Sequence, residues 1–178
     1  CGTKSMMRCG GATGHNAALV KPEPRNILVL DFGQLGDVVL SLPALAAIRK
    51  RFPQARITVA SGSAAALVVE MSGSADRTMA IDRVSLRDGP KLRSLGLLAR
   101  LVGDVRRAGY DLAIDLHSLS ESNLLAFLSG ARERVFAQRG GRSLDFLATM
   151  RTPWEERDKH QVDRYLDVLA PLGIADAP

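Results

Sequence analysis

The chain has 178 residues, 46% of them hydrophobic and 24% charged, with a formal net charge of +5. That length bounds it to one domain, or one domain with tails, and the balance is that of an ordinary soluble protein. Aromatics make up only 4%, too few for a base-stacking platform, and no run approaches the roughly 20 apolar residues of a membrane span.

Arg supplies 19 of the 24 basic residues. Its fork donates hydrogen bonds in pairs, which suits phosphate and carboxylate partners. Solvated helix faces with an arginine bias give the same composition. A nucleic-acid role lacks both a motif and aromatics. The two cysteines, Cys1 and Cys9, show no disulfide framework or zinc spacing, and the start shows no hydrophobic signal segment. Both features fit a reducing, cytosolic compartment.

Residues 1–25 are rich in Gly, Ser, Thr, Lys and Pro without apolar periodicity, and read as a disordered tail. Ile27-Leu28-Val29-Leu30 is short and β-branched enough for a buried first strand. The loop Asp31-Phe32-Gly33-Gln34-Leu35 follows, and Gly36 then leads into a helix expected over Asp37–Arg51. Val38, Val39, Leu42, Leu45, Ala46 and Ile48 make that helix apolar on most sides, as for one lying against a sheet. Pro43 predicts a kink or a loose first turn. The basic end Arg49-Lys50-Arg51 complements the helix dipole, and Phe52-Pro53 stops the helix.

Arg56–Ala60 is the second expected strand, and Ser61-Gly62-Ser63 turns into a short helix through Glu70. Thr78–Ile81 reads as a third strand and Asp82–Pro90 as a polar loop. Lys91–Ala108 is an amphipathic helix with Leu92, Leu95, Leu98, Leu101, Val102 and Val105 on one face, capped by Gly109. Asp111–Leu116 is the fourth strand, His117-Ser118 opens its loop, and Leu119–Leu128 is a helix ended by Ser129-Gly130. Arg134–Ala137 reads as a fifth strand, Gln138–Arg142 as a loop, Lys159–Leu169 as a helix, and Pro171–Pro178 as a linker. This alternation predicts an α/β fold, a Rossmann-like doubly wound parallel sheet. Ligands of such sheets sit outside the carboxyl ends of the strands, which puts Asp31 to Asp37 and His117-Ser118 at the site.

Asp37 stands at a helix start, where backbone N–H groups and the dipole favour a carboxylate. It reads equally as a general base or as an acid that stabilises its helix. Gly33, Gln34 and Gly36 of the same turn, with His117 and Ser118 on the neighbouring loop, are candidate substrate-binding residues. Asp115 and His117 also fit a plainer role, fixing loop geometry by hydrogen bonds. Arg132, Arg134, Arg139 and Arg142 form either a phosphate clamp or a solvated basic surface. The first turn lacks G-x-G-x-x-G, and the chain has neither a P-loop sequence nor a D-x-D pair. His15, His117 and His160 are scattered without metal-ligand spacing.

Ile27 to Leu30 followed by Leu35-Gly36-Asp37-Val38-Val39-Leu40-Ser41-Leu42-Pro43-Ala44-Leu45 resembles the opening of the ADP-heptose:lipopolysaccharide heptosyltransferases, glycosyltransferase family nine. Phe52-Pro53-Gln54-Ala55-Arg56-Ile57, Tyr110 to Leu116 and Leu125 to Arg132 are similar to later family segments, in the same order. The resemblance covers about residues 26–170. It implies the N-terminal, acceptor-side half of a GT-B glycosyltransferase, with the ADP-sugar held mainly by a second domain that this chain does not contain. Asp37 would then be the base that takes the acceptor hydroxyl's proton, so that the oxygen attacks the anomeric carbon with inversion as ADP leaves. It further implies no metal cofactor, ADP-heptose and the lipopolysaccharide core as partners, and work at the cytoplasmic face of the inner membrane. This half alone would be inactive. Asp31 stands where many members have Arg, His117 where they have Gln, and Phe32-Gly33-Gln34 differs from a serine-rich loop. The other reading of the residues is a stand-alone Rossmann or flavodoxin-like module that holds a nucleotide or small anion on the Gly33 to Asp37 turn.

Overall fold

Ile27, Leu28, Val29 and Leu30 form the middle of strand β1 (Asn26–Asp31), and all four side chains are fully buried. A strand covered on both faces needs apolar residues at every position, which is why this run does not alternate. The structure, a computed structural model, describes residues 22–82, 91–138, 144–156 and 158–174, with backbone alone for residues 91–94. Around β1 lie β2 (Arg56–Gly62), β3 (Arg77–Ile81), β4 (Leu112–Asp115) and β5 (Glu133–Phe136). The sheet is parallel throughout, in the order β3-β2-β1-β4-β5.

Parallel neighbours need crossovers, and helices supply them. They are α1 (Leu35–Arg51), α2 (Ser63–Met71), α3 (Lys91–Arg107) and α4 (Ser120–Leu128), with α5 (Gln161–Val168) closing the domain. Ile27 and Val29 face Leu45 and Ile48 of α1, Val69 of α2 and Tyr165 of α5. Leu28 and Leu30 face Val105 of α3 with Leu125 and Ala126 of α4. The architecture is therefore a Rossmann-like α/β fold with a core on each face of the sheet. Among the described residues, no helix is long and apolar enough to cross a membrane.

Helix α1 begins at Leu35, two residues before Asp37, and runs through Pro43 as one helix. An interior proline costs a helix about 3 kcal/mol. Burial of Val38, Leu45 and Ile48 on the sheet, at about 1.5–3 kcal/mol per large side chain, outweighs that.

Both expected tail boundaries move outward. Pro24 is buried, and the N–H groups of Arg25 and Asn26 donate to Asp111 Oδ2 at 2.8 and 3.0 Å. At the other end Leu172 and Ile174 are 1% and 6% exposed within the core, so the first residues of the expected linker belong to the domain. These ends carry no periodicity in the sequence, because they are held by hydrogen bonds and isolated apolar side chains that set no repeat. Cys1, Cys9, His15, most of the expected 82–90 loop, Arg139 and Arg142 lie outside the described residues.

Candidate functional site

The strand order turns over at β1, which leaves β1 and β4 as neighbours with Leu30 opposite Asp115. Both strands end in an aspartate, and both carboxylates are completely buried. The pleat sends them to opposite faces. Asp31 points to the α1 face, where the Ser41 hydroxyl donates to Oδ2 and the His117 Nε2–H donates to Oδ1 at 2.6 Å. A carboxylate only accepts, so Nε2 is the nitrogen that carries the hydrogen.

Asp115 points to the α4 face and organises the loop after β4. Its Oδ1 accepts the N–H groups of His117 and Ser118 at 3.0 and 2.9 Å. Its Oδ2 accepts the Ser122 hydroxyl at 2.5 Å and Asn123 Nδ2–H at 2.8 Å. Burial pushes the Asp115 carboxyl up to about 6, against the opposite pull of the Ser122 hydroxyl, the two N–H groups and His117. Ser118 is held at a left-handed φ of 50° by this arrangement. The loop-fixing role expected of Asp115 is thus what its hydrogen bonds perform.

Gly33 is where the two loops meet. A Cβ there would stand 2.5 Å from Asp37 Cβ, 2.6 Å from His117 Cε1 and 2.7 Å from His117 Nε2. Only a glycine lets the backbone pass this closely between them. The His117 ring is nearly buried and meets the Tyr165 ring edge-on, with centroids 5.2 Å apart. Asp37 is the third residue of α1, and its Oδ2 accepts the Gln34 N–H at 3.0 Å. The helix-stabilising role is therefore real. Asp37 is half-buried, and among the described residues its other oxygen accepts no hydrogen bond. Gln34 and Gly36 are exposed on the same turn.

Asp37, Gly33, Gln34, Gly36, His117 and Ser118 thus share one edge, at the carboxyl ends of β1 and β4. Arg132 does not join them. It precedes β5 and lines a cavity at the amino edge with Pro22, Glu23, Pro24, Arg25, Asp111 and Glu133. Arg134 is held within the fold, its Nε and Nη1 donating to the Leu147 and Ala131 carbonyls at 2.7 Å each. The described members do not form the expected clamp, because Arg132 lies before β5 at the amino edge and the Arg134 guanidinium is held by two carbonyls. Ser41, Ser122, Asn123 and Tyr165 are site-building residues that the sequence did not flag, and Asp31, expected at the site through its loop, had no partner assigned there. Among the described residues, no group of three His, Cys, Asp or Glu is placed to hold a metal.

No family model and no curated protein sequence matches the chain. Solved structures do. A glycosyl transferase of family 9 from Veillonella parvula superposes with a TM-score of 0.69 at 25% identity, covering 85% of this chain and 42% of that one. The fold is that of half a family-nine glycosyltransferase. The E. coli heptosyltransferase WaaC, solved with ADP-2-deoxy-2-fluoro heptose, gives a TM-score of 0.69 at 19% identity over 86% of this chain and 50% of WaaC. The E. coli ADP-heptose lps heptosyltransferase II gives 0.64 at 19% identity, over 85% and 40%. The chain therefore spans half or less of the length of each of these three proteins.

Proposed function

We propose that the chain is the acceptor-side half of an inverting glycosyltransferase that moves heptose, or a related sugar, from an ADP-sugar to a lipopolysaccharide core acceptor. The observation that carries this is Asp37 itself, a carboxylate at the carboxyl edge with one oxygen held by Gln34 and the other open. The bound oxygen fixes the side chain, and the open one can take a proton from an acceptor hydroxyl within hydrogen-bond reach. His117 and Ser118, across Gly33, would contact the acceptor sugar. The ADP-sugar would be held mainly by a second domain, and the work place would be the cytoplasmic face of the inner membrane.

The test is sugar transfer by the complete gene product, wild type against Asp37→Asn. We expect turnover to fall roughly 10²–10⁴-fold. Loss of the carboxylate acceptor for the Gln34 N–H should lower the unfolding midpoint only slightly. Near-normal turnover would remove Asp37 as the base. Titration of the chain alone with ADP and with core oligosaccharide separates the second reading, since tight nucleotide binding by this half would favour a small-anion module.

A further inference from the structure

The fold uses only one nitrogen of the His117 ring. Nε2–H donates to the buried Asp31 carboxylate at 2.6 Å, and the Ser41 hydroxyl donates to the other oxygen of that carboxylate. Tyr165 meets the ring edge-on. A hydrogen bond at one ring nitrogen fixes both the orientation of the imidazole and the place of its hydrogen. Among the described residues Nδ1 has no hydrogen-bond partner, and it is not sealed from the surface. In a neutral ring with its hydrogen on Nε2, Nδ1 is an acceptor. The fold thus holds open a lone pair that none of its own contacts requires.

That lone pair lies beside Asp37. A Cβ on Gly33 would touch both Asp37 Cβ and His117 Cε1, so those two atoms stand within about 5 Å of each other. Cε1 is the carbon between the ring nitrogens, which brings Nδ1 next to the turn that carries Asp37. The second oxygen of Asp37 is also open. Two acceptors, one from each loop, therefore flank Gly33. They match a molecule that donates twice from neighbouring positions, as two hydroxyls of one sugar ring do. A phosphate or carboxylate would meet a carboxylate and a lone pair there, with no donor from either.

We propose that His117 Nδ1 accepts a hydrogen bond from a second hydroxyl of the acceptor sugar, next to the hydroxyl whose proton Asp37 takes. Asp31 is then a positioning residue, which holds Nδ1 toward that hydroxyl. The proposal rests on the transferase reading, and it narrows the acceptor to a sugar with a free hydroxyl beside the nucleophilic one. The bonded hydroxyl does not react, so its hydrogen bond is alike in ground and transition states. Such a contact acts on KM and leaves kcat alone.

The experiment is acceptor kinetics of the complete gene product with ADP-heptose and lipopolysaccharide core oligosaccharide, wild type against His117→Gln. A glutamine amide reaches the place of Nε2 and keeps a donor for Asp31, but it has no lone pair where Nδ1 stands. The acceptor KM should rise roughly tenfold with kcat nearly unchanged. Asp37→Asn should show the other split, a lost kcat. An unchanged KM in His117→Gln would overturn the proposal, and so would a kcat loss as large as that of Asp37→Asn, which would put His117 in the proton transfer itself. Imidazole nitrogen NMR of the 178-residue chain, above the ordinary histidine pKa, reads the same atoms without turnover. The His117 signals, identified by their loss in His117→Gln, should show hydrogen on Nε2 alone, and Nδ1 should shift when core oligosaccharide is added. Asp31→Asn, whose amide can donate to Nε2, should move hydrogen onto Nδ1. Hydrogen on Nδ1 in the wild type would overturn the proposal. Absence of transfer by the wild-type product would sink the transferase reading and this one with it, whereas transfer with an unchanged KM in His117→Gln would sink this inference alone.

Discussion

His117 Nε2–H donates to Asp31 Oδ1 at 2.6 Å, joining residues 86 apart in the chain, with side chains 7% and 0% exposed. Breaking a buried pair of this kind by removing one partner costs roughly 3–5 kcal/mol, because the other is left buried and unsatisfied. Asp31→Leu and His117→Leu should each lower stability by an amount of that order. The double variant should lose less than the two combined, by about 1–3 kcal/mol. Urea unfolding of the four proteins measures this directly, and a coupling near zero would contradict the contact.

The two glycines of the first turn should respond in opposite directions. A methyl group at Gly33 would collide with Asp37 Cβ and the His117 ring, so Gly33→Ala should cost about 1–3 kcal/mol as the loop shifts. At Gly36 nothing lies within 4 Å of an added Cβ, and the residue is already helical. Gly36→Ala should therefore stabilise by up to about 1 kcal/mol. Thermal unfolding of the pair decides, and a loss at Gly36 would mean the turn is not as open as described.

Asp115 makes stability depend on pH in a direction opposite to most carboxylates. Its folded-state value, about 6, is raised above the ordinary 3.8, so the folded chain holds this proton more tightly than the unfolded chain. The contribution of Asp115 is most favourable below about 4, where both states are protonated. It is lost as pH rises through 6, a difference of about 3 kcal/mol at most. Asp76 works in a separate window. Its carboxyl is held below 3.8 by the Ile57 N–H and by Arg49, so it stabilises above 3.8 and loses that effect only in stronger acid. Subtracting the urea-midpoint profile of Asp115→Asn from that of the wild type should leave a slope between pH 4 and 6. A flat difference would show that Asp115 does not titrate there.

Arg134 should behave as a structural residue. Its guanidinium donates to two loop carbonyls, of Leu147 and Ala131, and charge-assisted bonds are worth about 1.5–3 kcal/mol each when buried. With partial exposure, Arg134→Ala should cost about 1–2 kcal/mol in chemical denaturation. Arg132→Ala, at the amino edge, should leave binding of core oligosaccharide at the wild-type affinity. A drop in affinity would return Arg132 to the site.

The elements that were legible in the sequence are those whose burial sets a pattern. The unbroken run Ile27 to Leu30 announces a central strand, and the spacing of Leu101, Val102 and Val105 announces a helix on its sheet. The carboxyl-edge placement of Asp37 and His117 followed from topology alone. What sequence could not give was pairing across the chain. Asp31 and His117 were two separate departures from the family resemblance, and the structure makes them one hydrogen bond. A compensated pair distant in sequence leaves no local periodicity, and Ser41, Ser122 and Tyr165 are ordinary helix residues until a neighbouring strand arrives. Arg132 was grouped with the arginines that follow the fifth strand although it precedes that strand in the sequence, and the structure sets it at the amino edge.

The adjacency of β1 and β4 also sets an order of assembly during synthesis. Asp31, Gly33 and Asp37 leave the ribosome long before His117, which is 86 residues beyond Asp31. At about 5–20 residues per second that interval lasts roughly 4–17 s. Until β4 arrives, the nascent β1 has an unpaired edge and the Asp31 carboxylate stays in water, so the first half of the edge must wait, aggregation-exposed, for the second.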